Sequence, residues 1–84
     1  MITFDPAKDA ANIAKHGISL ARGADLEAVG WVDDDRYAEP RRRAYGYIDG
    51  QTYCLAYVIR GNVVRAISLR RAHTKEFNRH VRAQ

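Results

Sequence analysis

The sequence predicts an α+β domain in which N-terminal helices pack on a small antiparallel meander and a C-terminal helix follows. Three observations predict it. Two tight-turn dipeptides, Asp49-Gly50 and Gly61-Asn62, separate three runs rich in tyrosine, valine and isoleucine; this is the pattern of strands joined by two-residue hairpins. Asp5 followed by Pro6 is a helix start, with an acceptor at the cap and a ring that fixes φ in the first turn. Phe77 and Val81 stand one turn apart after the last β-type run has ended.

Each element follows in order. Ile2–Phe4 reads as a short strand. The first helix begins at Pro6, with Ala7, Ala10, Ala11 and Ala14 on one side and Lys8, Asn12 and Lys15 on the other. Gly17 after His16 suits its C-terminus. Ser19 is an N-cap for a second helix to about Val29. Its Ala21, Ala24 and Ala28 keep it thin enough to lie close to a sheet. Asp33-Asp34-Asp35 through Pro40 reads as a polar loop, with room for a short strand at its start. Strands are expected at Arg42–Ile48, Gln51–Ile59 and Val63–Leu69. If both turns have two residues, pairing fixes the faces. Arg41, Arg43, Tyr45, Tyr47, Cys54, Ala56, Val58, Arg65, Ile67 and Leu69 share one. Ala44, Ile48, Tyr53, Leu55, Tyr57, Ile59, Val64, Ala66, Ser68 and Arg70 share the other, which is more apolar and should face the N-terminal helices. A last helix from Thr74 to about Ala83 carries a basic stripe of Lys75, Arg79 and Arg82, with Glu76 and His80 one turn apart.

Composition narrows the function. At 84 residues the chain is one domain, 1–84. Cys54 is the single cysteine, so no internal disulfide forms, and the three histidines are scattered without ligand spacing. No metal and no cofactor are expected. With neither a membrane-length apolar run nor a signal peptide, a soluble cytoplasmic protein is expected. The net charge of +4 hides an asymmetry: residues 1–40 carry four basic and eight acidic groups, whereas residues 41–84 carry ten basic groups against Asp49 and Glu76. Eleven of the fourteen basic residues are arginine. Arginine grips phosphate with a planar fork and stacks on bases, so this half reads as a nucleic-acid surface.

Specific motifs lie along nearly the whole chain. Phe4-Asp5-Pro6-x-Lys8, Asn12 and Lys15-His16-Gly17-Ile18-Ser19 stand near the start. Arg41, Gly46 and Asp49-Gly50 mark the middle, and Tyr57-x-x-Arg60 the end of the central strand. Arg65-x-Ile67-Ser68-x-Arg70-Arg71-Ala72-x-x-x-Glu76 is the most specific segment. In these residues the chain resembles the BrnT toxins of bacterial type II toxin–antitoxin systems, relatives of the RelE ribonucleases. It departs from their pattern at Leu20 (usually Phe), at Pro40 (usually Glu) and at His80 (usually Tyr).

The resemblance implies a RelE-like fold and an endoribonuclease that blocks translation by cleaving RNA without a metal. It also implies a BrnA-like DNA-binding antitoxin that neutralises the toxin in a hetero-oligomer and carries the complex to operator DNA. The chemistry requires cations for phosphorane charge and groups for proton transfer. Candidate catalytic residues are Arg41, Arg65 and Arg70 for charge, with Glu76 and His80 for the protons. Lys15, His16, Arg43, Arg60, Arg71, Lys75 and Arg79 are candidates for RNA binding. The alternative is a module that binds RNA or the antitoxin without cleaving. The regular register puts Arg70 on the face opposite Arg65, though its place at the strand end leaves it room to reach around to the helix.

Overall fold

The computed structural model describes residues 2–82, the side chain of Arg82 excepted, so residue 83 of the expected last helix and the third member of its basic stripe lie outside the described residues. β1 (Ile2–Thr3), α1 (Pro6–His16), a 3₁₀ segment (Leu20–Asp25), β2 (Glu27–Asp34), β3 (Arg41–Ile48), β4 (Gln51–Arg60), β5 (Val63–Arg71) and α2 (Thr74–Arg82) follow in order. The sheet has five strands in the order β1-β5-β4-β3-β2. β2 to β5 form an antiparallel meander, and β1 joins β5 in parallel.

Local chemistry sets the ends of α1 and the turns. The Ala7 amide donates to Asp5 Oδ1 at 2.8 Å, and Gly17 adopts φ +73° and donates to the Ile13 carbonyl. Asp49 (φ +51°) and Gly50 (φ +77°) are both left-handed, so β3 and β4 pair up to Ile48↔Gln51. Both hairpins have the two-residue loops expected from their dipeptides.

The second helix is not formed as expected. Ser19 does cap, accepting from the Ala21 amide at 3.1 Å, but the helix stops at Asp25 and β2 takes over. Gly23 weakens a helix, and it lets the segment lie close under the Ile2 and Leu55 side chains. The β-type run Ala28–Val32 then pairs with β3, where it buries Gly30 and half-buries Ala28 and Val32. The two strands run so close that a Cβ on Gly46 would collide with the Glu27 carbonyl and lie 2.8 Å from Ala28 Cα. The expected polar loop shrinks accordingly to residues 35–40.

The face assignment is right for β3 and β4 and wrong for the end of β5. Ala56 pairs with Ser68 and Tyr57 with Ala66, so Ile67 is an extra residue in a β-bulge. The bulge reverses the faces beyond it. Leu69 turns to the core and Ser68 and Arg70 turn away, the opposite of a regular ladder. Leu69 is fully buried with Leu20, Ala44, Ile48, Leu55, Tyr57 and Ala66. Burying a leucine is worth about 1.5–3 kcal/mol, which favours the bulge over an unbroken register.

α1 meets the free edge of β5 through its polar side. Asn12, only 5% exposed, accepts from the Leu69 amide at 3.0 Å and donates to the Leu69 carbonyl at 2.9 Å, and donates also to the Ile18 carbonyl at 2.9 Å. One side-chain amide thus completes the hydrogen bonding of an edge residue. The alanine side of α1 is exposed. α2 lies on the other face of the sheet, packing Phe77 and Val81 against Tyr45, Cys54, Ala72 and Val32. The junction is fixed where the Ala72 amide donates to the Thr52 carbonyl and Thr52 Oγ1 donates to the Ala72 carbonyl.

Candidate active site on the arginine face

α2 covers only part of its face. The bulge places the rest in a pattern of cations around a small floor. Rows across β3, β4 and β5 read Arg43–Ala56–Ser68 and Tyr45–Cys54–Arg70, and Arg41, two positions before Arg43, lines one cleft with Val58 and Arg65. β3 and β5 stand about 10 Å apart across β4. Four arginines therefore ring a floor of Ala56 and Val58. Among the described residues, Arg41, Arg43 and Arg65 form no ion pair with a carboxylate. Most other arginines of the sheet do: Arg42 holds Asp33, Arg60 holds Glu39 and Arg70 holds Glu76.

The α2 end of the face is a closed network. Arg70 Nη1 and Nη2 donate to Glu76 Oε1 and Oε2 at 2.9 and 2.7 Å. The Tyr45 hydroxyl donates to the same Oε2 at 3.0 Å and accepts from Arg43 Nη1 at 3.1 Å. The Arg70 hydrogen bonds outweigh desolvation and hold the Glu76 carboxyl at about 2. In return Glu76 raises Arg70, a permanent cation. Burial pushes the Tyr45 hydroxyl well above its ordinary range, so it stays a donor. Burial likewise raises the Cys54 thiol, which makes it a small packing residue and a poor nucleophile. The His80 ring stacks on Tyr45 with centroids 4.9 Å apart and planes at 20°. Arg43 Nε is buried with no hydrogen-bond partner.

The far end of the face is open. Arg60 forks onto Glu39 at 3.0 and 2.8 Å, and the Arg41 guanidinium lies 3.8 Å from the centre of the Tyr37 ring.

The expected site residues therefore divide. Arg70, Glu76 and His80 come together around Tyr45. Arg41, Arg60 and Arg65 gather at the open end. Arg43 stands between the groups, in the row separating Arg41 from Tyr45. Lys15 and His16 lie on the α1 flank beside Ile67 and Ser68. Lys75 and Arg79 are exposed on α2. Arg71 is turned to the other face, donating to the Thr52 carbonyl and to Gln51 and lying over Tyr53. Sequence reasoning missed Tyr45 as the centre of the network and Asn12 as the anchor of β5. The signal for the bulge was present: the apolar positions Val64, Ala66 and Leu69 are spaced two and then three apart.

The family described as the ribonuclease toxin BrnT of type II toxin–antitoxin systems matches residues 4–76. A solved structure with the same architecture is the Brucella abortus ribonuclease toxin BrnT. It is 28% identical, with a TM-score of 0.66 over 87% of this chain and 96% of that one. No curated protein sequence matches. With one family spanning most of the chain and one of its crystal structures sharing the fold, the chain belongs to the BrnT family of ribonuclease toxins.

Proposed function

We propose that the arginine face is the RNA-cleaving site of an endoribonuclease toxin that needs no metal. The observation that carries this is the ring of Arg41, Arg43 and Arg65, each without a carboxylate, on the same face as Arg70. A surface that keeps three guanidiniums unpaired is suited to phosphate, which arginine meets with two hydrogen bonds at once.

In this reading the 2′-hydroxyl attacks the adjacent phosphorus, the bond to the 5′-oxygen breaks, and a 2′,3′-cyclic phosphate and a 5′-hydroxyl result. His80 serves proton transfer, beside Tyr45 where the strand arginines and α2 meet. Arg70 and Arg43 stabilise the charge that builds on the phosphorane. Glu76, with its carboxyl at about 2, is a weak base, and its part is to hold the Arg70 fork. Arg41 and Arg65 bind the neighbouring backbone. A BrnA-like antitoxin neutralises the toxin in the cytoplasm, holds it in a hetero-oligomer and carries the pair to operator DNA. RNA loss then stops translation.

The test is incubation of the purified protein with single-stranded RNA in a chelator, with the new ends identified chemically. Cyclic phosphate ends from the wild type, lost in Arg70→Ala and His80→Ala variants that still bind RNA, are expected. Intact RNA with the wild type would reject the enzyme and leave a binding module.

A further inference from the structure

We propose that the cleft between the loop at 35–40 and the open end of the arginine face is a subsite for one further nucleotide of single-stranded RNA, and that Glu39 occupies it in the free protein as an exchangeable stand-in for phosphate. The inference rests on the RNA-cleaving reading and deepens it.

The cleft holds about 320 Å³, at the small end of ligand sites. Four cations line it, Lys8, Arg41, Arg60 and Arg65, against one carboxylate, Glu39. That carboxylate is forked by Arg60 at 3.0 and 2.8 Å and also feels the charges of Arg41 and Arg65, which together lower its pKa. The arrangement is that of an anion held where cations converge.

The anion is cheap to release. The Arg60 and Glu39 side chains are 58% and 51% exposed, and exposed pairs add little to stability. A phosphodiester brings the same charge on oxygens spaced for the same fork. Each nucleotide also brings a base. Tyr37, 44% exposed, has the Arg41 guanidinium 3.8 Å and the Arg36 guanidinium 5.8 Å from its ring centroid, and a base would stack on the ring in place of the more distant Arg36. Stacking on an aromatic ring tolerates any base, so the subsite adds affinity more than sequence preference. Lys8 brings α1 into the same cleft, so the strand would run from the α2 end of the face toward α1.

The experiment measures binding of a fully 2′-O-methylated single-stranded RNA, which cannot be cleaved, by fluorescence anisotropy over a salt series. Circular dichroism checks that each variant folds. Glu39→Gln keeps the shape and removes the competing charge; binding at low salt is expected to tighten several-fold. Arg60→Ala is expected to weaken binding and to lower the log–log salt slope by about 0.7, the value for one phosphate contact on a single strand. Tyr37→Ala is expected to weaken binding roughly tenfold, and Tyr37→Phe to restore it. If the wild type binds the oligonucleotide but Glu39→Gln binds no tighter and Arg60→Ala no weaker, the subsite is overturned and the cleavage site stands. If the wild type binds no RNA, the functional reading fails along with it.

Discussion

Two arginine–carboxylate forks bracket the open face, alike in chemistry and unlike in setting. Arg70–Glu76 has side chains 32% and 22% exposed and a third partner, the Tyr45 hydroxyl. Arg60–Glu39 is more than half exposed on both sides. The first is screened from water, and its carboxyl sits at about 2. The second is a surface pair that contributes little. The same contact therefore fixes geometry at one end of the face and leaves it exchangeable at the other. The sequence distance does not decide which is which. What decides is whether α2 and Tyr45 close over the pair.

The largest effect is expected from the anchor that fixes Arg70's strand. Asn12→Ala leaves the Leu69 amide and carbonyl without their partner, at about 1–3 kcal/mol for each buried group left unpaired. Denaturant unfolding should show a loss of about 2–5 kcal/mol, with RNA cleavage falling in parallel.

Next comes the rigid fork itself. Glu76→Ala strands a partly buried guanidinium and the Tyr45 hydroxyl, and about 1.5–3 kcal/mol should be lost. Cleavage should fall roughly 10²-fold because Arg70 is no longer held. Single-turnover rates on folded protein separate the two losses.

The third effect is on pH. The Glu76 carboxyl is lowered from 4.5 to about 2 by Arg70. Lowering a carboxyl in the folded state stabilises at pH above the unfolded value, and that stability is lost as pH falls from about 4.5 through about 2. Unfolding free energy plotted against pH should therefore drop across that window, and Glu76→Gln should flatten the drop. Asp34, also at about 2 through its fork with Arg36, adds to the same slope and is separated by Asp34→Asn.

The smallest effect is expected at the exchangeable fork. Glu39→Ala should leave the denaturant midpoint close to that of the wild type. A loss as large as that of Glu76→Ala would erase the distinction between the two ends.

What was legible in the sequence was what short-range chemistry decides. Asp49-Gly50 takes the left-handed backbone of a tight turn, Asp5 and Ser19 supply cap acceptors, and each behaves so. The motif segment from Arg65 to Glu76 falls on β5 and the start of α2. The errors arose where distant contacts outvote local preference. Ser19 and the alanines favour a helix, yet Gly23 lies under Ile2 and Leu55, and the following run gains more by pairing with β3. The faces of β5 depend on Leu69 reaching a core built from three other elements and on Asn12, 57 positions away. Tyr45 could not be singled out among five tyrosines, because its role depends on Arg43, Arg70 and Glu76 all pointing at it.

The bulge at Ile67 makes the site a matter of parity. Arg65 and Arg70 are an odd number of positions apart, and a flat strand would part them. Deleting the single residue Ile67 would change neither the charge nor any residue of the arginine face. It would straighten the strand, leaving Arg65 and Arg70 on one face and Leu69 in the core. Loops of this toxin can lengthen or shorten by one with local consequences. Inside β5 the extra residue is what sets the faces: with Ile67 kept, flattening the bulge would turn Arg70 toward the core and Leu69 out to solvent, and the arginine face would lose one of its four cations.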